Sequence, residues 1–121
     1  MIRGVRGAIT VEGNQAEEII FSTEELIAKM IEMNQIDPKF VASVFISTTA
    51  DLTATFPAKA LRKFEGWTFV PVMCMREMDV PSSLDMCIRV MMHINTEVSQ
   101  EHIHHVYLRK AIALRPDLNN N

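Results

Sequence analysis

The segment MCIRVMMHI, residues 86–94, constrains the fold more than any other stretch of the chain. Its residues suit the interior of a strand, except Arg89, whose charge cannot be shed inside a protein. With the two-residue period of a strand, Ile88, Val90, Met92 and Ile94 share one face. Cys87, Met91 and His93 lie on the other, beside Arg89. A strand that is apolar on both faces needs a covering layer on each side of its sheet. An unpaired guanidinium there is expensive, so either an internal carboxylate meets Arg89 or an anion arrives from outside.

The remaining segments supply only part of that cover. IRGVRGAITVE (2–12) reads as an opening strand, with Ile2, Gly4, Arg6 and Ala8 on one face, leaving room beside Arg6. Residues 15–34 carry the longest helical pattern, with Ile19, Leu26, Met30 and Met33 on one stripe, acids in the first turn and Asn34 to end it. Asp37-Pro38 predicts an N-cap followed by a single turn. VASVFIST (41–48) follows as a strand. FPAKALRKFEGW (56–67) predicts a second, shorter helix, opened by Pro57, stopped by Gly66, and apolar at Ala60, Leu61 and Phe64. WTFVPVMCM (67–75) reads as a strand that Pro71 confines to an edge or a bulge. HHVYLRKAIALR (104–115) reads as the last strand.

The predicted order is therefore β-α-β-α-β-β-β, an α/β (α+β) chain with a five-stranded mixed sheet and two helices on one face. With no repeat or linker, residues 1–121 read as one domain. Two helices cover only one face, so the second face is expected to be buried by another copy, making an obligate oligomer.

A net charge of −3 argues against nucleic acid as a partner, because phosphate binding wants a clustered basic face. No apolar run reaches membrane-spanning length, and no secretory signal is apparent. Cys74 and Cys87 are thus expected as free thiols in a cytoplasmic protein. Nine methionines fit as fillers of irregular core space.

Several cations stand among apolar or small residues: Arg6, Arg62, Arg89 and Arg115, with Tyr107 in the last strand. Glu77 is the main candidate counter-charge, and one carboxylate does not neutralise them all. A small anion with more than one carboxylate would, since the planar guanidinium fork suits that group. Internal salt bridging is the competing explanation for each arginine singly. His102, His104 and His105 read as solvated surface rather than metal ligands, and neither cysteine has a base that can be placed beside it. Lys59 and Lys63, one helical turn apart, read as a solvated face. Residue patterns alone reach a cytosolic oligomer with a cationic pocket for a small dianion, and no reaction.

MIRGVRGAITVE, FPAKALR, CMREMDV, CIRVMM, HVYL and LRPDL, in this order and spacing, resemble the small monofunctional chorismate mutases of the AroH type over essentially the whole chain. The resemblance implies a homotrimer in a pseudo-α/β-barrel arrangement, with active sites at subunit clefts. It implies the Claisen rearrangement of chorismate to prephenate in phenylalanine and tyrosine biosynthesis, with no metal or cofactor. Position by position, Arg89 resembles the arginine at the breaking ether bond. Glu77 matches the carboxylate near the ring hydroxyl and the charge-deficient ring. Arg6 and Tyr107 match groups holding the side-chain carboxylate, and Cys74 a position beside the ring hydroxyl. Phe56, Ala58 and Leu114 look like pocket wall, and Lys59, Arg62 and Arg115 like cations at the mouth. Two departures stand out: Met73, where relatives often have a small hydroxylated residue, and Ser82-Ser83, where they often have glycines. On this reading the partner of Arg89 is the substrate. Two other functions use the same features: a non-catalytic trimer that senses a small carboxylate, and an enamine or imine hydrolase of the similar small-trimer kind.

Overall fold

The structure is a computed structural model that describes residues 1–114. Its strands are β1 (Ile2–Thr10), β2 (Val41–Thr48), β3 (Val72–Arg76), β4 (Cys87–Asn95) and β5 (Val106–Leu108), with one α-helix, α1 (Ala16–Asn34). They form a single mixed sheet in the order β3-β2-β4-β1-β5. β4, the strand that carries Arg89, is at the centre. It runs antiparallel to β1 from Ile2↔Asn95 to Thr10↔Cys87, and antiparallel to β2 on its other side. β3 and β5 are edges, parallel to β2 and β1 respectively. The expected five-stranded mixed sheet is present, but its third strand begins at Val72 rather than Trp67: residues 67–70 form a turn, and Pro71 immediately precedes the edge strand, where its missing N–H is tolerated.

One face of the sheet is packed tightly. Val5 and Ile9 of β1, Val44 and Ile46 of β2, and Ile88, Val90, Met92 and Ile94 of β4 are buried under α1. The helix contributes Ile19, Leu26, Ile27 and Met30, spaced to lie along one side, together with buried Ser22 and Thr23. The Thr23 hydroxyl is satisfied by donating to the Ile19 carbonyl at 2.7 Å. Gly7 sets how near the helix sits: a Cβ there would lie 2.5 Å from Met30 Sδ and 3.0 Å from Leu26 Cδ1.

Four local expectations are corrected. Met33 is 42% exposed and stands off the buried stripe. The left-handed residue that ends α1 is Gln35 (φ 51°), not Asn34. Asn34 instead clips the helix end to the chain before β5, donating to the His104 carbonyl and accepting its N–H, both at 2.8 Å. The second helix is a 3-10 segment, Pro57–Lys63. Leu61, Phe64 and Trp67 recur every third residue, which matches three residues per turn better than 3.6, and successive three-residue turns continue to Val70. The last strand is only three residues long. Arg109 adopts φ 55°, which ends extended structure and starts a 3-10 segment, Arg109–Leu114. Ala111 is buried as one side of that turn. The Asp37-Pro38 turn is as expected: Asp37 Oδ1 accepts the Lys39 N–H at 3.0 Å and a single 3-10 turn follows.

The opposite face is covered at one end alone among the described residues. Ala8, Cys87, Tyr107 and Ala111 form a small buried cluster, flanked by Leu84 and Leu114. Elsewhere Phe45, Met73 and Met75 remain 36%, 60% and 43% exposed.

Gly7→Val separates packing from strand propensity. Valine favours extended structure, but its side chain would strike Leu26 and Met30. We expect destabilisation of about 1–3 kcal/mol, measured as a lower midpoint in urea; an unchanged or raised midpoint would mean that the helix is not held at the observed distance.

Candidate active site

Arg89 extends from β4 on the face away from α1, in register with Ala8 of β1 and Ser47 of β2. These two small neighbours leave space over the sheet for the guanidinium. One step further, Met75 of β3 pairs with Ser47, and two residues on the chain leaves the sheet at Glu77. The Glu77 N–H still donates to the Thr48 carbonyl at 2.8 Å, so the ladder continues just far enough to hold its side chain over the same face.

There the carboxylate meets Arg89: Nη1 to Oε2 is 2.8 Å, with the two side chains 22% and 29% exposed. The other carboxylate oxygen accepts the Met78 N–H at 2.8 Å. Arg89 therefore does have an internal partner, and the expectation that only an incoming anion would pair with it is corrected. Glu77, the counter-charge singled out from sequence, is that partner. The fork is nevertheless not exhausted, because Arg89 Nε is buried without a hydrogen-bond partner among the described residues. The Tyr107 hydroxyl is in the same condition. Tyr107 pairs with Ala8, which in turn pairs with Arg89, so both orphaned groups lie on one sheet face with one alanine between their backbones. Buried polar atoms are nearly always satisfied, so two together mark a place made for something else. Arg6 lies beside them, its guanidinium carbon 6.0 Å from the centre of the Tyr107 ring.

Cys87 lies on the same face, and burial pushes its thiol up, with the neighbouring Arg89 partly opposing that rise. A raised thiol is a poor nucleophile, so this cysteine is a packing residue. Leu114 packs against the same cluster. Arg115 lies outside the described residues.

The other sequence-predicted residues are elsewhere. Cys74 pairs with Ile46 and belongs to the helix-covered side of the sheet. Together with Phe56, Ala58, Lys59 and Arg62 it lines an open hollow of about 900 Å3 beside the β3 edge. The candidate residues thus fall into two groups, one on each side of the sheet: Arg6, Glu77, Arg89, Tyr107 and Leu114, against Cys74, Phe56, Ala58, Lys59 and Arg62. Strand alternation thus leaves Cys74 and Glu77 on opposite sides of the sheet. Met73 is exposed at the hollow's rim. Ser82 has φ 68°, a conformation that glycine adopts freely and serine at some cost, which fits the turn where relatives often have glycine.

The histidines have local work. His105 Nδ1 accepts the Arg6 N–H at 3.0 Å, His102 Nδ1 contacts Ser99 Oγ at 2.6 Å, and the backbone of His104 is held by Asn34. Sequence reasoning missed three contributors to the site: the Met78 N–H, Ser47, and Ala8 as its floor. Small residues flanking a buried arginine are visible in sequence only once strand register is known.

The chain matches the family model for chorismate mutase type I over residues 2–118. It is 54% identical to chorismate mutase AroH of Bacillus subtilis (strain 168) over 118 residues, covering 98% of this chain and 93% of that protein. It is 48% identical to chorismate mutase AroH of Thermus thermophilus, covering 98% and 97%. Among solved structures, a chorismate mutase from Clostridium thermocellum superposes with a TM-score of 0.88 at 46% identity, over 91% of this chain and 97% of that one. Matched by that family model over residues 2–118 and 54% identical to one of its curated members, the chain belongs to the type I chorismate mutase family.

Proposed function

We propose that this single-domain chain converts chorismate to prephenate in the cytoplasm, supplying phenylalanine and tyrosine synthesis, as a homotrimer with its active sites between subunits. One observation carries the reading within this family. Arg89 Nε and the Tyr107 hydroxyl are buried without partners on one sheet face, next to Arg6 and an already paired Glu77.

The rearrangement breaks an ether C–O bond while a C–C bond forms in the same molecule. It transfers no proton, so the protein contributes shape and electric field. Confinement of the flexible enolpyruvyl arm in its compact conformer lowers the entropic part of the barrier. As C–O cleavage runs ahead of C–C formation, negative charge collects on the ether oxygen, and donors matched to that charge accelerate the step. In the proposed assignment Arg89 does this with the part of its fork that Glu77 leaves free. Glu77 fixes the guanidinium and faces the electron-deficient ring. Arg6 and Tyr107 hold the side-chain carboxylate. Cys74 stands by the ring hydroxyl, Phe56, Ala58 and Leu114 form walls, and Lys59, Arg62 and Arg115 attract the dianion at the mouth.

The division of these residues between the two sides of the sheet supports the trimer. One chain alone does not bring Cys74 to Arg89, whereas a second chain whose hollow faces the first chain's arginine does. The exposed Phe45, Met73 and Met75 supply apolar surface for such a contact.

The direct test is incubation with chorismate and observation of prephenate; binding without turnover would favour a carboxylate sensor instead. Arg89→Lys should fold normally and lose about 10²-fold or more in kcat, because a compact ammonium on a flexible stem, drawn to Glu77, replaces the rigid fork that holds a donor at the ether oxygen. Near-normal turnover would contradict the assignment. Glu77→Gln should cost about 10²–10³-fold in kcat with assembly intact by sedimentation, and retained activity would remove Glu77 from the mechanism. A trimeric mass at micromolar concentration is expected. Co-expression of inactive Arg89→Ala and Arg62→Ala chains should restore roughly one site in four. No recovery would place both residues in a site made by one subunit.

A further inference from the structure

Tyr107 is held by little of its own. β5 has three residues, sits at a sheet edge and pairs with β1 alone. The phenol makes no hydrogen bond through its hydroxyl, so its ring is placed by packing against Ala8, Cys87 and Ala111. The position of Ala111 depends in turn on how the chain turns after β5.

That turn is tied down by Arg109. Its guanidinium reaches back across the sheet edge: Nη1 donates to the Thr10 carbonyl at 3.0 Å and to Ser22 Oγ at 3.1 Å, and Nη2 to Glu25 Oε1 at 2.8 Å. The next residue reinforces it, Lys110 N–H donating to Thr10 Oγ1 at 3.2 Å. One side chain thereby joins the end of β1, the helix and the C-terminal turn. The backbone at Arg109 has φ 55°, a conformation that a side chain other than glycine or asparagine adopts at a cost. Upstream, the Arg6 N–H bonded to His105 Nδ1 ties the other end of β5 to β1, so Tyr107 is bracketed by two links.

The geometry points to Arg109 as a positioning residue for substrate binding. It clamps the β5 exit so that Tyr107, and Leu114 behind it, face Arg89 at the correct depth. This rests on the proposed function of that face. Because Tyr107 is assigned to the carboxylate, which is present in both ground and transition states, loss of the clamp should act on KM more than on kcat.

Arg109→Gly is the discriminating variant, because glycine adopts the positive φ without strain, so the side chain and its bonds are lost without straining the corner. The chain has one tyrosine, so expression with 3-fluorotyrosine gives a single fluorine resonance that reports on Tyr107. In Arg109→Gly we expect that resonance to narrow and move toward free fluorotyrosine. KM for chorismate should rise about fivefold or more while kcat stays within about twofold. Arg109→Lys, which retains one donor group, should fall between, and it carries the same comparison if the glycine variant does not fold. An unmoved resonance overturns the clamp. A moved resonance with unchanged KM and kcat overturns its role in binding. If the resonance moves while the unsubstituted protein does not turn over chorismate, the functional reading falls and the clamp on Tyr107 stands.

Discussion

The ion pair between Arg89 and Glu77 organises the uncovered face of this sheet. A guanidinium on the central strand, mostly removed from water, must recover in direct contacts what it loses in hydration. At 2.8 Å the Glu77 carboxylate returns much of that, and the Met78 N–H holds the carboxylate in turn. The pair consumes only one edge of a planar group with five donors. What remains is a fixed positive site with an unsatisfied Nε. A lysine could not divide its charge in this way, since its donors converge on a single nitrogen. The pair is therefore both a structural solution for a charge in the sheet and a means of aiming the rest of that charge.

The surroundings follow from this requirement. Ala8 and Ser47 flank Arg89 in register, and larger side chains there would occupy the space over the sheet. The opposite side of the same strands is filled by Ile9, Ile46, Ile88 and Val90 under α1. Strand alternation thus divides labour within single residues' spacing: one side is an aliphatic core, the other carries the charged pair over small neighbours. The same alternation sends Cys74 to the far side of the sheet from Glu77, and with it the cationic hollow formed by Lys59 and Arg62.

Much of the architecture was legible in the residue order. β1, α1, β2 and the Asp37-Pro38 turn have periods and caps that no packing partner needs to confirm, and they lie close to where those signals put them. Glu77 was also recognisable as the counter-charge to a core arginine. The misreadings share a cause. Residues 109–114 read as the continuation of the last strand, but the backbone turns a left-handed corner at Arg109, whose side chain is bonded to Thr10, Ser22 and Glu25. Residues 57–63 have helical composition, but their three-residue apolar spacing yields a 3-10 segment. Met33 fits the helical stripe by count, yet it lies beyond the sheet that the stripe covers.

By itself the sequence determined that a strand apolar on both faces carries a permanent charge, because hydrophobic period and charge are properties of neighbouring residues. The tertiary structure alone decided that the charge is met by Glu77, that Nε and the Tyr107 hydroxyl are left without acceptors, and that the candidate residues are parted by the sheet. Those outcomes depend on strand order and register, which bring Ala8, Ser47 and Glu77 to Arg89 from positions 81, 42 and 12 residues away. No local signal in the chain encodes such distances.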